Sequence, residues 1–517
     1  MKNNGIWHKV ANTLPILYSG LKKRHFILNQ QSTRGVSNSG FFHRLSVFLK
    51  LSFFLTAAFI LLSSIDDAFV DIYYILHKIR RKFFIYRKYR PFQAKDILNK
   101  EEQYFAIMIP AWQESPVIKA MLKNTLASYN YRNYHIFVGC YPNDPDTVRE
   151  ADQLCPAHPN LHISRAAAPG PTSKADCLNQ IYADIYAFEN KGPIKFAGYI
   201  LHDAEDIVHP LELKLYNHLI PRKDMVQIPV IPLKRPWYDL TGGHYMDEFA
   251  ENHIKELVVR ESLTGHVPSA GVGTALSRRA LSVISQNNTV MPFDVGNLTE
   301  DYDLALRLKA ANLKLIFARF MARPGDIIAT REFFPNRIHA VVRQKSRWLM
   351  GIAFQGWRQQ KWQGSLALRY ALFRDRKGIF TAQLSIAAYF ILLNILVVWG
   401  VEWLMPNGYH YPPLVRRGEM LEYLLWANLL FLINRALHRM YFTYCLYGPL
   451  SALLSLPRQL WGNILNFMAA QRAIYLYARH LLLGTALVWD KTDHMFPDMG
   501  QRSDTPKHQA AANEHQS

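Results

Sequence analysis

The 517-residue chain is long enough for two or three ordinary domains, and half of its residues are hydrophobic. Its formal net charge of +20 is concentrated beside apolar stretches, which favours contact with an anionic membrane surface over binding of nucleic acid. The four cysteines show no CxxC spacing, which argues against a zinc site and a disulfide framework and indicates reduced thiols.

The N-terminal residues 1–44 are polar and basic, and they lack the apolar core of a cleavable signal peptide. Leu45–Ile65 has the length of a membrane span, with a buried core helix as the alternative. Apolar residues at helical spacing from Phe69 to Leu76 predict an amphipathic helix in the membrane interface, followed by a basic run. We therefore expect a leader, and then a transmembrane and interface-helix segment at residues 45–95.

Residues 96–335 predict an α/β domain, because short apolar runs alternate with amphipathic stretches. The predicted strands are Tyr104–Ile109, His135–Gly139, Leu161–Ser164, Tyr199–His202 and Val226–Ile231. The predicted helices between them are Val117–Ser128, Thr147–Leu154 and Ala175–Phe188. This alternation is typical of βαβ units in a mostly parallel sheet, whose ligands bind at the carboxyl ends of the strands.

The C-terminal third returns to membrane composition. Ile379–Val401 contains no charge and predicts one span, and Tyr423–Ile433 predicts a second. Between Tyr441 and Leu483, Gly448-Pro449 and Pro457 interrupt the apolar pattern, which predicts either a re-entrant or interfacial hairpin or a further crossing. We assign these regions as follows: 336–375 interface helices, 376–485 transmembrane or re-entrant helices, and 486–517 a polar, disordered tail.

Three acidic residues follow the predicted strand that ends near His202. Asp203 and Glu205 offer carboxylate oxygens at the end of a strand, which suits Mg²⁺ or Mn²⁺ completed by a diphosphate and water. The alternative is an acidic loop that caps the helix after Pro210. Sequence spacing alone does not decide between the two.

A second group of acids, in Thr299-Glu300-Asp301, opens a helical pattern. Threonine at an N-cap with acids in the first turn is ordinary helix chemistry. The functional interpretation makes Asp301 a general base, which requires hydrogen-bond reach to an acceptor hydroxyl.

A third motif places Gln344, Arg347 and Trp348 on one helix face, because their spacing is i, i+3, i+4. A planar guanidinium at Arg347 suits a diphosphate, and Trp348 could present an apolar face to a sugar ring. An amphipathic helix on the membrane is the alternative. Lys174, at the start of a predicted helix, could meet an anion together with free backbone amides, or could simply be solvated. The sequence has neither GxGxxG nor a P-loop lysine motif, which argues against a dinucleotide enzyme or an ATPase.

The order of these motifs resembles that of membrane-bound family 2 glycosyltransferases of the cellulose and hyaluronan synthase kind. The resemblance extends from about Leu45 to Asp490 and rests on five segments: Ile109–Glu114, Lys174–Asn179, Asp203–Glu205, Thr299–Asp301 and Gln344–Trp348. Within that family the amino-acid sequence is most similar to that of the bacteriophage-adsorption protein B group. The segments that show this closer similarity are Tyr141–Thr147, Pro169–Asn179 and Val267–Thr274.

The resemblance implies a GT-A domain on the cytoplasmic face of the bacterial inner membrane that uses a UDP-sugar and Mg²⁺ or Mn²⁺. It implies that Asp203 and Glu205 bind the metal and that Thr299, Glu300 and Asp301 form the catalytic group, with Asp301 as the base. The donor-binding set that it implies is Glu114, Asp144, Lys174, Asp203, Gln344, Arg347 and Trp348. The group is associated with a secreted polysaccharide, an outer-membrane partner and cyclic-di-GMP control.

Three departures from the family pattern are visible. The aspartate that reads uracil in many members falls on Tyr141 here, so Asn143 or Asp144 must substitute. The usual Asp-x-Asp is Asp203-x-Glu205. The sequence to Ser517 has no room for the C-terminal cyclic-di-GMP-binding domain of the longer members.

These observations predict an inverting, metal-dependent, multi-pass membrane glycosyltransferase that extends a growing glycan acceptor for export. Membrane lipid and an outer-membrane export protein are the expected partners. Two alternatives stay open. One is a non-catalytic scaffold or phage-adsorption receptor with a degenerate transferase domain, and the other is transfer of a single sugar to a lipid carrier.

Overall fold

The computed structural model describes residues 39–90, 92–404, 415–485, 487 and 495–497. The predictions for most of the leader and the tail lie outside these residues. The chain divides into two compact units: Met1–Ala58 with Phe390–Leu424, and Phe59–Tyr389 with Leu425–Ser517. In the first unit, Lys50 pairs with Glu419 at 2.7 Å. The second unit contains the sheet and every candidate site residue.

The described strands, in chain order, are β1 (Phe105–Pro110), β2 (Tyr134–Cys140), β3 (Leu161–Arg165), β4 (Gly198–Leu201), β5 (Met225–Gln227), β6 (Val230–Pro232), β7 (Thr274–Ser277), β8 (Leu315–Phe317), β9 (Met321–Arg323), β10 (Asp326–Ile327) and β11 (Thr330–Glu332). Seven of them form one sheet in the order β3-β2-β1-β4-β7-β5-β8. All neighbours in it are parallel except that β7 runs antiparallel to β4 and β5. The predicted mostly parallel α/β architecture is confirmed.

The described α-helices are α1 (Ser39–Arg80), α2 (Lys95–Leu98), α3 (Ile118–Ser128), α4 (Pro145–Asp152), α5 (Lys174–Lys191), α6 (Glu212–Leu219), α7 (Leu240–Glu251), α8 (Leu257–Thr264), α9 (Arg278–Ile284), α10 (Glu300–Ala310), α11 (Ile338–Leu349), α12 (Gly356–Gln360), α13 (Leu366–Leu404), α14 (Met420–Tyr447) and α15 (Pro449–Leu483). π-helical segments continue three of them, at Arg81–Ile85, Asn252–Glu256 and Met350–Gln355, and a helical turn follows at Tyr86–Lys88. A 3₁₀ turn spans Cys155–Ala157.

Helices cover both faces of the sheet, which explains why its central strands are continuous apolar runs. Alternate residues of β1 face opposite sides. Ile107 and Ile109 belong to a buried cluster with α3, α4 and α6. Ala106 and Met108 belong to a second cluster with α5, α9 and α10. The two cores fix the positions of the loops at the carboxyl edge of the sheet.

The predicted strand Val226–Ile231 is wrong as a single element, because its two halves belong to different sheets. β5 pairs with β7 and β8, whereas β6 pairs with β11. Pro229 separates the halves, and proline has no N–H to continue a ladder. The earlier predicted strands agree with the structure to within a residue at each end.

Three described helical segments are long and apolar enough to cross a membrane: Val47–Lys88, Leu366–Val397 and Met420–Tyr447. The predicted spans at Leu45–Ile65, Ile379–Val401 and Tyr423–Ile433 fall in the same helices. The amphipathic helix predicted after the first span is not a separate element. Its residues continue α1 without a break to Arg80.

After Tyr441 the predicted interruption at Gly448-Pro449 is present, whereas the predicted break at Pro457 is wrong. Gly448, with a φ of +83°, separates α14 from α15, and Pro449 occupies the first turn of α15, where its missing N–H costs nothing. Pro457 then lies inside the continuous α15. The polar residue that follows it is buried against the α/β domain, where Arg458 Nε lies 2.9 Å from Asp247 Oδ2. This docking compensates for the hydrogen bond that Pro457 removes.

Acidic residues late in α1 connect it with the other long helices of the second unit. Asp66 accepts from Arg374 of α13 at 2.6 Å, and Asp67 pairs with Arg435 of α14 at 2.9 Å. Asp71 pairs with Lys255 beside α7 at 2.5 Å. Because these pairs join separate elements, they fix the long helices to the α/β domain.

Candidate active site

Two predicted motifs meet at the carboxyl edge of the sheet. Asp203 follows β4, and Lys174 is the first residue of α5, whose N-cap Ser173 accepts from the amide of Asp176 at 3.2 Å. The Lys174 ammonium lies 2.5 Å from Asp203 Oδ1. Lys174 is therefore paired with a carboxylate of the neighbouring motif, and its role in binding a donor stays a prediction.

The acids of Thr299-Glu300-Asp301 act on the same ammonium group. Burial alone would lower the pKa of Lys174, but the charges of Asp203, Glu300 and Asp301 outweigh it and raise that pKa above its ordinary value. Burial, and then the charge of Asp301, raise the pKa of Glu300 to about 7. Burial also raises the pKa of Asp301. The site thus collects three acids around one largely buried cation.

Thr299 is the N-cap of α10, but its side chain does not cap the helix. Its amide donates to Asn297 Oδ1 at 3.0 Å. A Cβ added at Gly351 would collide with the Thr299 side chain, so the π-helical segment after α11 passes directly over it. The ordinary capping explanation for this threonine therefore fails, and its side chain packs against the chain that follows Gln344, Arg347 and Trp348.

Gly271 forms a wall of the site that sequence reasoning did not single out. It adopts a φ of +76°, and a Cβ added there would lie 2.7 Å from Asp301 Oδ2 and 3.3 Å from Lys174 Nζ. Only glycine accommodates both the backbone conformation and the close approach. The sequence did contain an indication of its importance, because Gly271 belongs to the segment Val267–Thr274 that supported the family resemblance.

His202 is a second residue that the sequence did not assign. It is fully buried, with Nδ1 2.7 Å from Asp206 Oδ2 and Nε2 2.8 Å from Glu212 Oε1. Burial alone would lower the pKa of His202, but the two carboxylates outweigh it and raise the pKa to about 10. The same Asp206 oxygen accepts from the amide of Asp203 at 3.1 Å. This network fixes the loop that carries Asp203 and Glu205.

The face predicted for Gln344, Arg347 and Trp348 lies on α11. Gln344 Oε1 accepts from Tyr245 OH at 2.7 Å. The Trp348 ring lies 6.3 Å from that of Tyr245, in an apolar cluster. Burial raises the pKa values of Glu300 and Asp301, and the charge of Arg347 partly offsets that effect at both acids. A contact between Trp348 and a sugar stays a prediction.

Glu114 and Asp144 lie after neighbouring strands, β1 and β2. Both are buried, and Asp144 is the N-cap of α4. Its Oδ1 accepts from the amide of Thr147 at 3.4 Å, and its Oδ2 accepts from the amide of Gln113 at 2.5 Å. Asp144 thus joins the start of α4 to the loop after β1, in addition to the donor-binding role predicted for it.

Tyr141, which the resemblance aligns with the uracil-reading aspartate of many family members, is buried beneath the loop before α5. Its ring meets Trp112 edge to face at 5.2 Å, and its hydroxyl lies 2.8 Å from Thr172 Oγ1. Asn143 makes two hydrogen bonds to the same loop: it donates to the Gly170 carbonyl at 2.6 Å and accepts from the Gly170 amide at 2.7 Å. The side chains after β2 therefore support the loop that leads to Lys174.

The described residues contain no group of three or more His, Cys, Asp or Glu side chains that could hold a metal ion. Asp203 and Glu205 provide two carboxylates, and Asp203 is partly exposed while Glu205 is buried. Two carboxylates and the phosphate oxygens of a ligand match the way in which Mg²⁺ is usually bound. The donor set fits a divalent metal that arrives with a phosphorylated ligand.

A family model described as "Glycosyl transferase family group 2" matches residues 199–401. The matched segment begins in β4 and includes Asp203, Glu205, Asp301 and α11. Over these residues the chain therefore matches a family 2 glycosyltransferase domain, and its mixed, mostly parallel α/β sheet is of the kind expected for a GT-A domain.

Among curated proteins, the chain is similar to bacteriophage adsorption protein B of Escherichia coli (strain K12). The two are 43% identical over 469 residues, which cover 87% of this chain and 63% of that protein. Bacteriophage N4 adsorption protein B of Escherichia coli O157:H7 matches with the same identity and coverage. The chain thus spans less than two thirds of the length of these relatives. The resemblance to the adsorption protein B group is confirmed.

Among solved structures, a mannosyltransferase from Pyrobaculum calidifontis, in complex with GDP-Man and Mn²⁺, aligns with a TM-score of 0.42 and 14% identity. The alignment covers 81% of this chain and 99% of that one.

Proposed function

We propose that this chain is an inverting glycosyltransferase of the bacterial inner membrane, which transfers a sugar from a UDP-sugar to a growing glycan. The observation that carries the proposal is the meeting of Lys174 with Asp203, Glu300 and Asp301 at the carboxyl edge of the sheet. Clusters of buried acids with shifted pKa values are typical of catalytic sites. The family 2 domain supports the assignment of the reaction class.

In this mechanism Asp301 accepts the proton of the acceptor hydroxyl as that oxygen attacks the anomeric carbon. Its raised pKa makes it a stronger base than an exposed aspartate. Lys174 and Arg347 supply positive charge for the departing nucleoside diphosphate. Inversion follows because attack occurs once, from the face opposite the leaving group.

Asp203 and Glu205 would hold Mg²⁺ or Mn²⁺ together with the phosphate oxygens of the donor. The metal would act as a Lewis acid that stabilises the leaving diphosphate. His202 and Asp206 contribute by fixing the backbone of the loop that presents both acids.

The rival from another class is a non-catalytic scaffold or phage-adsorption receptor. The cluster of partly buried acids argues against it, because such groups cost stability and a chain without catalytic function would be expected to lose them. A second enzyme alternative is transfer of one sugar to a lipid carrier, which the same cluster would serve equally well. The three candidate spans support a multi-pass membrane location, and a cytoplasmic catalytic domain is part of the proposal.

The test is donor hydrolysis and sugar transfer by the protein in lipid, across a panel of UDP-sugars with Mg²⁺ or Mn²⁺. Wild type should transfer and Asp301→Asn should not. Asp303→Asn is the matched control, because Asp303 lies on the same helix but pairs with Arg307 at 2.7 Å. If the wild type neither binds the donor nor transfers the sugar, the scaffold alternative is favoured. If it binds the donor without hydrolysis or transfer, a partner is missing from the assay.

Export is tested separately in sealed vesicles that retain full activity. Labelled product should accumulate on the side opposite the donor. Product that stays with the donor would exclude translocation by this chain, and extraction of the label with a single sugar on lipid would favour the lipid-carrier alternative.

A further inference from the structure

Tyr302 directly follows Asp301 in the first turn of α10, and its side chain is buried. Its backbone amide is one of the first-turn N–H groups that have no carbonyl partner within a helix. This amide donates instead to Asp301 Oδ1 at 2.7 Å. One oxygen of the Asp301 carboxylate is therefore held by the helix that carries it.

The second oxygen of Asp301 faces the candidate active site. A Cβ added at Gly271 would lie 2.7 Å from Asp301 Oδ2 and 3.3 Å from Lys174 Nζ, so Oδ2 and the ammonium group line the same wall. The two carboxylate oxygens thus have different surroundings. Oδ1 is bonded to the backbone of α10, and Oδ2 is the oxygen on the side of the site.

The ring of Tyr302 connects α10 with α13. It packs with Leu368 and Leu372 of α13 in a buried apolar cluster. Its hydroxyl donates to Asp375 Oδ2 at 2.5 Å, and Nη1 of Arg260, on α8, donates to Asp375 Oδ1 at 2.6 Å. Three helices of the second unit therefore meet at the Asp375 carboxylate.

Asp375 belongs to the candidate membrane span Leu366–Val397. It lies in the charged first part of α13, before the stretch Ile379–Val401, which contains no charge. Hydrogen bonds to an ionised acceptor are about twice as strong as bonds between neutral groups. The bond to Asp375 therefore fixes the end of the Tyr302 side chain more firmly than ring packing alone would.

We propose that Asp375 and Tyr302 are positioning residues for the base of the transfer reaction. Asp375 holds the tyrosine hydroxyl, and the tyrosine amide holds Oδ1 of Asp301, so that Oδ2 receives the proton of the acceptor hydroxyl. This inference rests on the proposed function, because it assigns the proton to one oxygen of Asp301. A fixed base needs no reorientation, and a misplacement of about 1 Å can cost about a hundredfold in rate.

The first test is Tyr302→Phe, which removes the hydroxyl and keeps the ring in its cluster. It should lower kcat for sugar transfer about tenfold and leave the KM for the UDP-sugar unchanged, since the base acts in the transition state. Tyr370→Phe is the matched control, because the hydroxyl of Tyr370, also on α13, bonds to Asp66 of α1. It should keep the kcat of wild type. An equal fall in both variants would assign the effect to the docking of α13 in general and overturn the proposal.

A double-mutant cycle tests whether Tyr302 and Asp375 act through one bond. If they do, Tyr302→Phe/Asp375→Asn should transfer no more slowly than the slower of the two single variants. Falls in kcat that multiply in the double variant would show independent effects and overturn the proposal.

Hydrogen–deuterium exchange of the first two turns of α10 measures the positioning without donor or acceptor. These amides should exchange about fivefold faster in Tyr302→Phe than in wild type or Tyr370→Phe, because the helix start loses its attachment to α13. Faster exchange together with no transfer by wild type would refute the proposed function and support the positioning of Asp301. Unchanged exchange, or an unchanged kcat, in folded Tyr302→Phe would overturn the inference itself.

Discussion

Lys174 Nζ lies 2.5 Å from Asp203 Oδ1, so the first residue of α5 neutralises the first acid after β4. The two residues come from motifs that are separate in sequence. They meet because α5 packs on β1 and β2 while β4 is the other neighbour of β1, which brings the start of the helix to the carboxyl end of the strand. A divalent metal held by Asp203 would therefore compete with this ammonium group for the carboxylate.

This pair predicts opposite effects of Lys174 on metal binding and on transfer. In Lys174→Met the ammonium no longer competes for Asp203, so Mn²⁺ should bind more tightly in the absence of donor. Transfer should nevertheless fall, because the leaving diphosphate loses a positive charge. Electron paramagnetic resonance of Mn²⁺ measures the first effect and a transfer assay the second.

Lys174→Arg is the control for this prediction, because it keeps the charge. It should keep Mn²⁺ affinity close to that of wild type and retain part of the transfer. If Lys174→Met and wild type bind Mn²⁺ equally, the competition for Asp203 does not occur.

The wall formed by Gly271 predicts a loss of activity from a single methyl group. Gly271→Ala should cost about 1–2 kcal/mol of strain at its φ of +76°. The added Cβ also displaces Asp301 and Lys174, so transfer should fall about tenfold to a hundredfold. Transfer rate and the thermal midpoint of unfolding report the two effects.

Gly325→Ala separates displacement of the site from backbone strain. Gly325 has a φ of +81°, and nothing lies within 4 Å of a Cβ added there. Gly325→Ala should lower the thermal midpoint of unfolding as Gly271→Ala does, and it should leave the transfer rate unchanged. Equal loss of transfer in both variants would assign the effect to strain alone.

The sequence predicted the sheet well because its signal is local. The buried strands β1 to β4 are short apolar runs next to helical patterns, and each is found within a residue of its predicted ends. It predicted Pro457 as a break because proline disfavours a helix interior. Whether the helix survives depends on a tertiary partner, and the buried pair of Arg458 with Asp247 supplies it.

The candidate site was predictable only in part, for a related reason. Acids such as Asp203 and Asp301 are visible as motifs, but their approach to Lys174 depends on how α5 and α10 pack. Tyr245 carried no motif of its own, because its importance lies in a hydrogen bond to Gln344 from a distant element. The bonds of His202 to Asp206 and Glu212 are closer in sequence, but they depend on how the loop after β4 folds back on the start of α6. Residues that act through long-range contacts leave little trace in sequence spacing.

The hydrogen bond from Tyr245 to Gln344 predicts a loss of transfer from removal of one hydroxyl group. Tyr245→Phe keeps the ring against Trp348 but leaves Gln344 Oε1 without its donor, which should cost about 1 kcal/mol. Transfer should fall because Gln344 loses its orientation. Tyr131→Phe is the matched control, since Tyr131 OH donates to the Gln103 carbonyl at 2.6 Å away from the site. It should lose similar stability and keep full transfer, and equal transfer by both variants would exclude a positioning role for Tyr245.

The raised pKa of Glu300 predicts a pH dependence of stability. Its pKa is about 7 in the folded protein, through burial and the charge of Asp301, against an ordinary value of 4.5. Between these values the folded state retains a proton that the unfolded chain has released. Its stabilising contribution is therefore complete below pH 4.5 and is lost as the pH rises through 7. Glu300→Gln cannot titrate, so the difference between its unfolding midpoint and that of wild type should change in favour of the variant from about pH 5 to about pH 8. Midpoints that run parallel over this range would show that Glu300 ionises normally in the folded protein.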